Sequence, residues 1–177
     1  MSIEIDVLNG DASWPLVKPL YDAVWPPEVV AGLPWAGITF AHADLRVLVQ
    51  DETGHVLCHV GIYRRVVTWN GQKINVGGIG GVLTRAESRN RGLATVALNA
   101  AIQTLRHEDS VNFAILFCAP DRIPFYMARG FEAFDGDVYV EQPGKGRIRF
   151  DALAALVRDA KRTAPTRGTI DLCGLPW

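Results

Sequence analysis

The sequence has no excess of positive charge. Its 18 Lys and Arg face 19 Asp and Glu, with no long basic run hidden in the balance. This argues against a nucleic-acid partner, which needs a concentrated cationic surface. Cysteine is scarce: Cys58, Cys118 and Cys173 are an odd number at wide spacing. They make no disulfide framework and suit free thiols in a reducing compartment. No C-x2-C pair occurs, and the adjacent Cys58 and His59 cannot chelate one zinc in the usual spaced manner, so no metal is expected. The longest apolar run, "FAILFCAP", is far too short to span a bilayer. "MSIEIDVLNGDASWP" has neither the basic nor the apolar segment of a signal peptide. The expectation is a cytoplasmic protein without a membrane partner.

What is present is enough apolar material for one core. About half of the 177 residues are apolar, and a chain of this length reads as a single domain over 1–177. Ser13 before "WPLVKPLYDAV" predicts a capped helix with prolines inside its pattern. "WPPEVVAGLPWAG" reads as irregular. Trp14, Trp25 and Trp35 there suit either plain packing or a loop over a substrate. "DLRVLVQ", "HVLCHVGIYRRVVTW" and "QKINVGGIGGVLT" predict three antiparallel strands in a meander, with Asn70-Gly71 as a type I′ hairpin turn.

A helix follows from about Asn90 to Arg106, its polar residues Thr95, Asn99, Gln103 and Arg106 confined to one stripe. "SVNFAILFCAP" reads as a strand covered on both faces, and "DRIPFYMARGF" as a short helix capped at Gly130. "DVYVEQ" predicts a strand. "FDALAALVRDAKR" predicts an amphipathic helix with Leu153, Leu156, Val157 and Ala160 on one face, and "GTIDLCGLPW" a last strand and tail. The fold class is α/β: a mixed, mostly antiparallel central sheet flanked by helices. Residues 1–44 would supply a helix and substrate-side loops, 45–134 the motif region, and 135–177 a strand-helix-strand.

Two glycine-bearing stretches compete as a phosphate site. "GGIGGV" (Gly77 to Val82) lies in a strand arm with no helix opening at its end, so it is no dinucleotide fingerprint. Strand glycines mark a bulge or a close approach. "RNRGLAT" opens a helix, where unpaired N–H groups and the helix dipole stabilise an anion, and Arg89 and Arg91 add charge.

A glycine-bulged "GGVLT", then R-x-x-G-x-A into a helix, then a strand, then "FYMARGF", resembles the GCN5-related N-acetyltransferase (GNAT) family over about Leu45 to Phe134. The resemblance implies acetyl-CoA, or another acyl-CoA, as cosubstrate. Its pyrophosphate would rest on Arg89, Asn90, Arg91, Gly92, Leu93, Ala94 and Thr95. Its pantetheine arm would pair with Val82, Leu83 and Thr84, and the Val82 N–H would polarise the thioester carbonyl. Tyr126 matches the family tyrosine that protonates the departing thiolate. The acceptor would be a primary amine of a small molecule.

"HVGIYRRVVTWNGQKINVGGIGGVLTRAESRNRGLA" is most similar to the aminoglycoside 2′-N-acetyltransferases, as is the terminal tryptophan. With "LRVLVQDETG" it also resembles the rhizobial nodulation N-acyltransferases. Both point to an amino sugar. The departures matter. Gly80 stands where the aminoglycoside enzymes carry a glutamate, and "AGLPWAGITF" has no carboxylate to offset the desolvation of a polycation. A less charged acceptor is expected. The base would then be His59, Asp171, the C-terminal carboxylate of Trp177, or water. Two further readings stay open: a non-catalytic acyl-CoA sensor, and an acyl-carrier-protein-dependent enzyme docking through Arg64, Arg65, Arg89 and Arg91. Monomer and homodimer are equally compatible with the sequence.

Overall fold

The sheet is built outward from the hairpin at Asn70-Gly71. Both residues have positive φ, 49° and 80°, as a type I′ turn requires. The computed structural model of the chain describes residues 2–177. Strands β3 (Val56–Trp69) and β4 (Gln72–Thr84) run antiparallel from that turn, from Trp69↔Gln72 to Cys58↔Thr84. The free edge of β3 is shared. Its first half takes β2 (Leu45–Asp51), which in turn takes β1 (Ile3–Asn9). Its last two residues take β10 (Arg167–Asp171), followed outward by β7 (Asp135–Gln142) and β8 (Gly146–Arg149). On the other side, β4 pairs in parallel with β5 (Phe113–Cys118), and β5 pairs with β9 (Ala154–Asp159), which holds the short β6 (Glu132–Ala133).

Helices cover the two faces of the central strands. On one, α3 (Leu93–Arg106) packs Ala97, Leu98, Ala101 and Leu105 onto Val47, Val60, Ile62 and Ile79. Leu98 and Leu105 are almost wholly buried, each contributing about 1.5–3 kcal/mol relative to exposure. On the other face, α1 (Gly10–Val24) lays Val17 and Leu20 on Leu48, Val56 and Leu83. The three-stranded meander and the mixed, mostly antiparallel sheet form as the alternation of apolar residues implies.

Several local expectations are corrected. The segment expected as an amphipathic helix around Leu153 to Ala160 is strand β9. Leu156 and Val157 are consecutive and both buried, yet they belong to different cores, Leu156 to the α3 side and Val157 to the other. Opposite-facing neighbours are a strand property, and the far edge of buried β5 would otherwise leave its N–H and C=O groups unpaired. Residues 135–177 are therefore all-strand and loop, without the helix of the expected strand-helix-strand.

Helix α1 begins at Gly10 with Asn9 as its cap, Asn9 Oδ1 accepting from the Ala12 N–H at 2.9 Å. Ser13, the expected cap, sits inside the helix and donates back to the Asn9 carbonyl at 2.6 Å. Helix α3 starts at Leu93, three residues later than expected, because Asn90 and Gly92 take positive φ. "PEVV" in the segment expected to be irregular is one turn of helix, α2 (Pro27–Val30).

The chain returns at its end to the middle of the sheet. The Trp177 ring stacks on Tyr63 at 5.5 Å and 15°, and its indole N–H donates to the Ile115 carbonyl at 3.2 Å. It lies flat against Gly78, where a methyl group would overlap the ring. Gly78→Ala is expected to lose about 1–3 kcal/mol by overpacking, read as a lower urea midpoint. An unchanged midpoint would mean that Trp177 is not held there.

Candidate active site

The site begins where two strands part. β4 and β5 pair from Val76↔Phe113 to Ile79↔Leu116 and no further, although both continue. The departure coincides with a bulge. His59 pairs with Leu83 and Gly61 with Gly80, so Gly81 and Val82 together oppose Val60. Gly81 has φ +57°, a left-handed conformation costly for any residue with a Cβ. A side chain there would also collide with the Tyr21 hydroxyl.

His59 locks this bulge. Its Nδ1 lies 2.6 Å from the Gly81 carbonyl, and its Nε2 3.1 Å from Nη1 of Arg46. Guanidinium only donates, so Nε2 accepts and Nδ1 carries the proton it gives to Gly81. Burial, partly offset by the Gly81 hydrogen bond and reinforced by the Arg46 charge, pushes the His59 pKa down to about 3. His59 is wholly buried, stands outside the lining of the cavity described below, and has both nitrogens committed.

A cavity of about 970 Å³ fills the space between the parted strands. At one end are the expected phosphate residues Arg89, Asn90, Gly92, Leu93, Ala94 and Thr95. Gly92, at φ +77°, caps α3, and a Cβ there would meet nothing within 4 Å. The N–H groups of Leu93, Ala94 and Thr95 precede the first helical bond, from Val96 to Gly92 at 3.1 Å, and all three residues line the cavity, the arrangement that accepts a phosphate. The middle of the cavity is walled by Val82, Leu83 and Thr84 on β4 and by Leu116, Phe117 and Cys118 on β5.

Tyr126 lines the same space from α4 (Ile123–Met127). Burial, with help from Cys118, raises its phenol above the usual range against the opposing charges of Arg122 and Arg129. It therefore holds its proton at neutral pH. Arg129 ties α4 to the first turn of α3, donating to Thr95 Oγ1 at 2.8 and 3.1 Å and to the Phe125 carbonyl at 2.7 Å. Burial pushes the Cys118 thiol up to about 11, so it rests as a protonated thiol.

The far end of the cavity is aromatic. Trp14, Tyr21, Trp25, Trp35 and Phe40 form an edge-to-face string with successive centroids 5.1–5.6 Å apart, and all five line the cavity, with Tyr63 and Trp177. The three tryptophans are thus both packed into one aromatic string and turned to the cavity. The main-chain carbonyl carbon of Trp177 lies 3.0 Å from where a Cβ of residue 80 would stand.

Other expected residues lie elsewhere. Asp171 is bound to Arg147 at 2.6 Å and stands outside the cavity lining. Partial burial works to raise its pKa, but hydrogen bonds from Arg147 and Cys173 and the Arg147 charge hold it below the usual range. The basic patch proposed for a carrier protein does not form. Arg64 pairs with Glu108 at 2.9 Å, and Arg65 is folded over the Trp177 ring at 4.9 Å. Both sit opposite Gly77 and Val76, roughly 20 Å along β4 from the loop holding Arg89 and Arg91. Among the described residues no group of three or more His, Cys, Asp or Glu is placed to hold a metal.

A family model described as an acetyltransferase (GNAT) domain matches residues 14–134, more than half of the chain. The chain belongs to the GNAT acetyltransferases. The solved structures agree on the fold. The *Escherichia coli* GNAT N-acetyltransferase YhbS in complex with CoA superposes with a TM-score of 0.64 at 18% identity, over 97% of this chain and 89% of that one. A *Brucella melitensis* GNAT acetyltransferase in complex with acetyl-CoA gives 0.62 at 15%, over 96% and 94%. *E. coli* ElaA gives 0.62 at 14%, over 89% and 100%. Among curated proteins, none matches the sequence.

Against this GNAT frame the sequence reading missed Arg46 and Tyr21. Arg46 had a signal: in "DLRVLVQ" it shares a strand face with buried Leu48, a place where a charge needs a reason. Tyr21 had none, since its position depends on where α1 docks. The His59 lock has a measurable consequence. The folded protein keeps His59 neutral down to about 3, whereas the unfolded chain takes up a proton below about 6.5. Stability is therefore whole above about 6.5 and is lost as pH falls towards 3, by roughly 1.4 kcal/mol per pH unit from this group. Urea titrations at pH 7.5, 6 and 5 should show that loss, and His59→Gln should flatten it. An equal slope in the variant would show that His59 is not the sensor.

Proposed function

We propose that this GNAT domain transfers an acetyl group from acetyl-CoA to a primary amine of a small molecule by direct attack of the amine on the thioester. One observation carries the reading: a single cavity joins the open N-terminus of α3, the parted strands with their bulge, and a protonated Tyr126. The residues fit the cosubstrate. Arg89 to Thr95 offer N–H groups and charge to the pyrophosphate, and Val82, Leu83 and Thr84 offer a strand edge to the pantetheine arm. The thioester supplies an activated carbonyl carbon. The bulge turns the Val82 N–H towards its oxygen, where a donor stabilises the charge that develops. Tyr126 gives its proton to the departing sulfur, as a phenol can to a thiolate.

No acidic side chain stands on the central strand at Gly80. A chain ending at Trp177 would put its carboxylate there instead, beside the attacking nitrogen. His59, with both nitrogens committed, serves this reaction as the pin of the bulge. The absence of a strand acid also favours a second reading, in which the domain binds acetyl-CoA without turning it over.

Acetyl-CoA at millimolar concentration is expected to raise the melting temperature, and the absence of any shift would sink both readings. Tyr126→Phe should slow acetyl transfer by about 10²-fold or more while the CoA-induced shift persists. Thiol release that stays at background with every amine, despite that shift, would select the non-catalytic reading.

A further inference from the structure

Arg46 is a buried charge without a counter-ion. It is 3% exposed and lines the aromatic end of the cavity. Its hydrogen-bond partners are neutral: Nε donates to the Gly10 carbonyl at 2.8 Å and Nη1 to His59 at 3.1 Å, and its charge also acts on the Tyr21 hydroxyl. The Trp14 ring covers it at 4.9 Å. Among the described residues no carboxylate pairs with it. Hydrogen bonds to neutral groups leave the charge uncompensated, which is costly in a low-dielectric site.

The rest of that end sharpens the point. Among the described residues Asp121 is the one acidic side chain in the lining, and it lies beside Arg122 on the turn into α4. A polycation entering there would meet a like charge at Arg46 and, among the described side chains of the lining, no carboxylate near the aromatic string to replace its water. A flat ring would meet the edges and faces of Trp14, Tyr21, Trp25 and Trp35, a favourable surface for another aromatic body.

We infer that the acceptor is an aromatic amino carboxylate: a primary amine beside a carboxylate, on a flat aromatic body. The inference rests on the acetyl-transfer reading above. The carboxylate answers Arg46, the ring lies against the tryptophans, and the amine points over Gly80 and Gly81 to the parted strands. The nitrogen forms the N–C bond as the C–S bond breaks. The sulfur takes the Tyr126 proton, and the proton shed by the nitrogen leaves to water and in turn restores the phenol. One amine and one thioester give one amide and one thiol.

The test compares two acceptors that share a ring with a polyamine that has none. Thiol release from acetyl-CoA is measured with L-tryptophan, with tryptamine, which lacks only the carboxylate, and with spermidine. Melting shifts are recorded for each acceptor on the CoA-bound protein. L-Tryptophan is expected to exceed tryptamine by about ten-fold in kcat/KM, with spermidine at background. Arg46→Gln should erase the difference and Arg46→Lys retain most of it.

The wild-type pair decides the matter even if the variants do not fold. Tryptamine or spermidine preferred over L-tryptophan overturns the inference, as does L-tryptophan that neither turns over nor shifts the CoA-bound protein. The acetyl-transfer reading fails separately: acetyl-CoA then gives no melting shift at all. A shift with acetyl-CoA, together with transfer to other amines only, removes this inference and leaves that reading standing.

Discussion

The architecture depends on one irregularity in one strand. β4 must stay in the sheet with β5 as far as Ile79 and then leave it, and the extra residue at Gly81-Val82 is what bends it away. A bulge is a soft feature, because it gives up ladder hydrogen bonds. Here it is stiffened from behind by a buried chain of donors running from Arg46 through His59 to the Gly81 carbonyl. That chain has only one proton arrangement that satisfies every member. It fixes the histidine tautomer and, through it, the direction of the backbone that faces the cavity. The opening between the strands is therefore made from main chain, and the side chains around it mainly hold that main chain in place.

Much of this was legible in the residues. Asn70-Gly71 dictated a hairpin, the alternation in the flanking strands gave the meander, and Gly92 marked the start of an apolar helix. These are local rules, where a residue's own conformational preference decides. Misreadings arose where tertiary pairing overrode local pattern. "ALAALVRD" has helical spacing, yet the unpaired edge of β5 drew it into the sheet, with Leu156 and Val157 turned to opposite cores. β1 went unseen because its side chains are largely exposed, so it carries little of the apolar signal by which a strand is recognised.

The site divides the same way. Tyr126 and the loop from Arg89 to Thr95 sit in short motifs that name themselves. The aromatic end does not, because its members come from α1 and its cap, the loop after α2, β3 and Trp177. No spacing links them. Arg46 is the exception that could be noticed, a charge on the buried face of a central strand. The chemical meaning of such a charge emerges only when no ion-pair partner is found for it among the described residues.

Trp177 carries a consequence for how the molecule comes into being. Its ring fills the hollow over Gly78 and is tied to Ile115, 62 residues earlier, and the neighbouring Pro176 carbonyl receives the Ala41 N–H. The wall of the cavity thus joins the first quarter of the chain to its last residues. During synthesis the amino-terminal segments emerge first, but the pocket they contribute to stays open on one side until residue 177 has cleared the ribosome. Contacts of such sequence separation form late and slowly. A nascent chain would expose the tryptophans of α1 and the following loop throughout that interval, and it is then, before the cavity exists, that the protein is most exposed to aggregation.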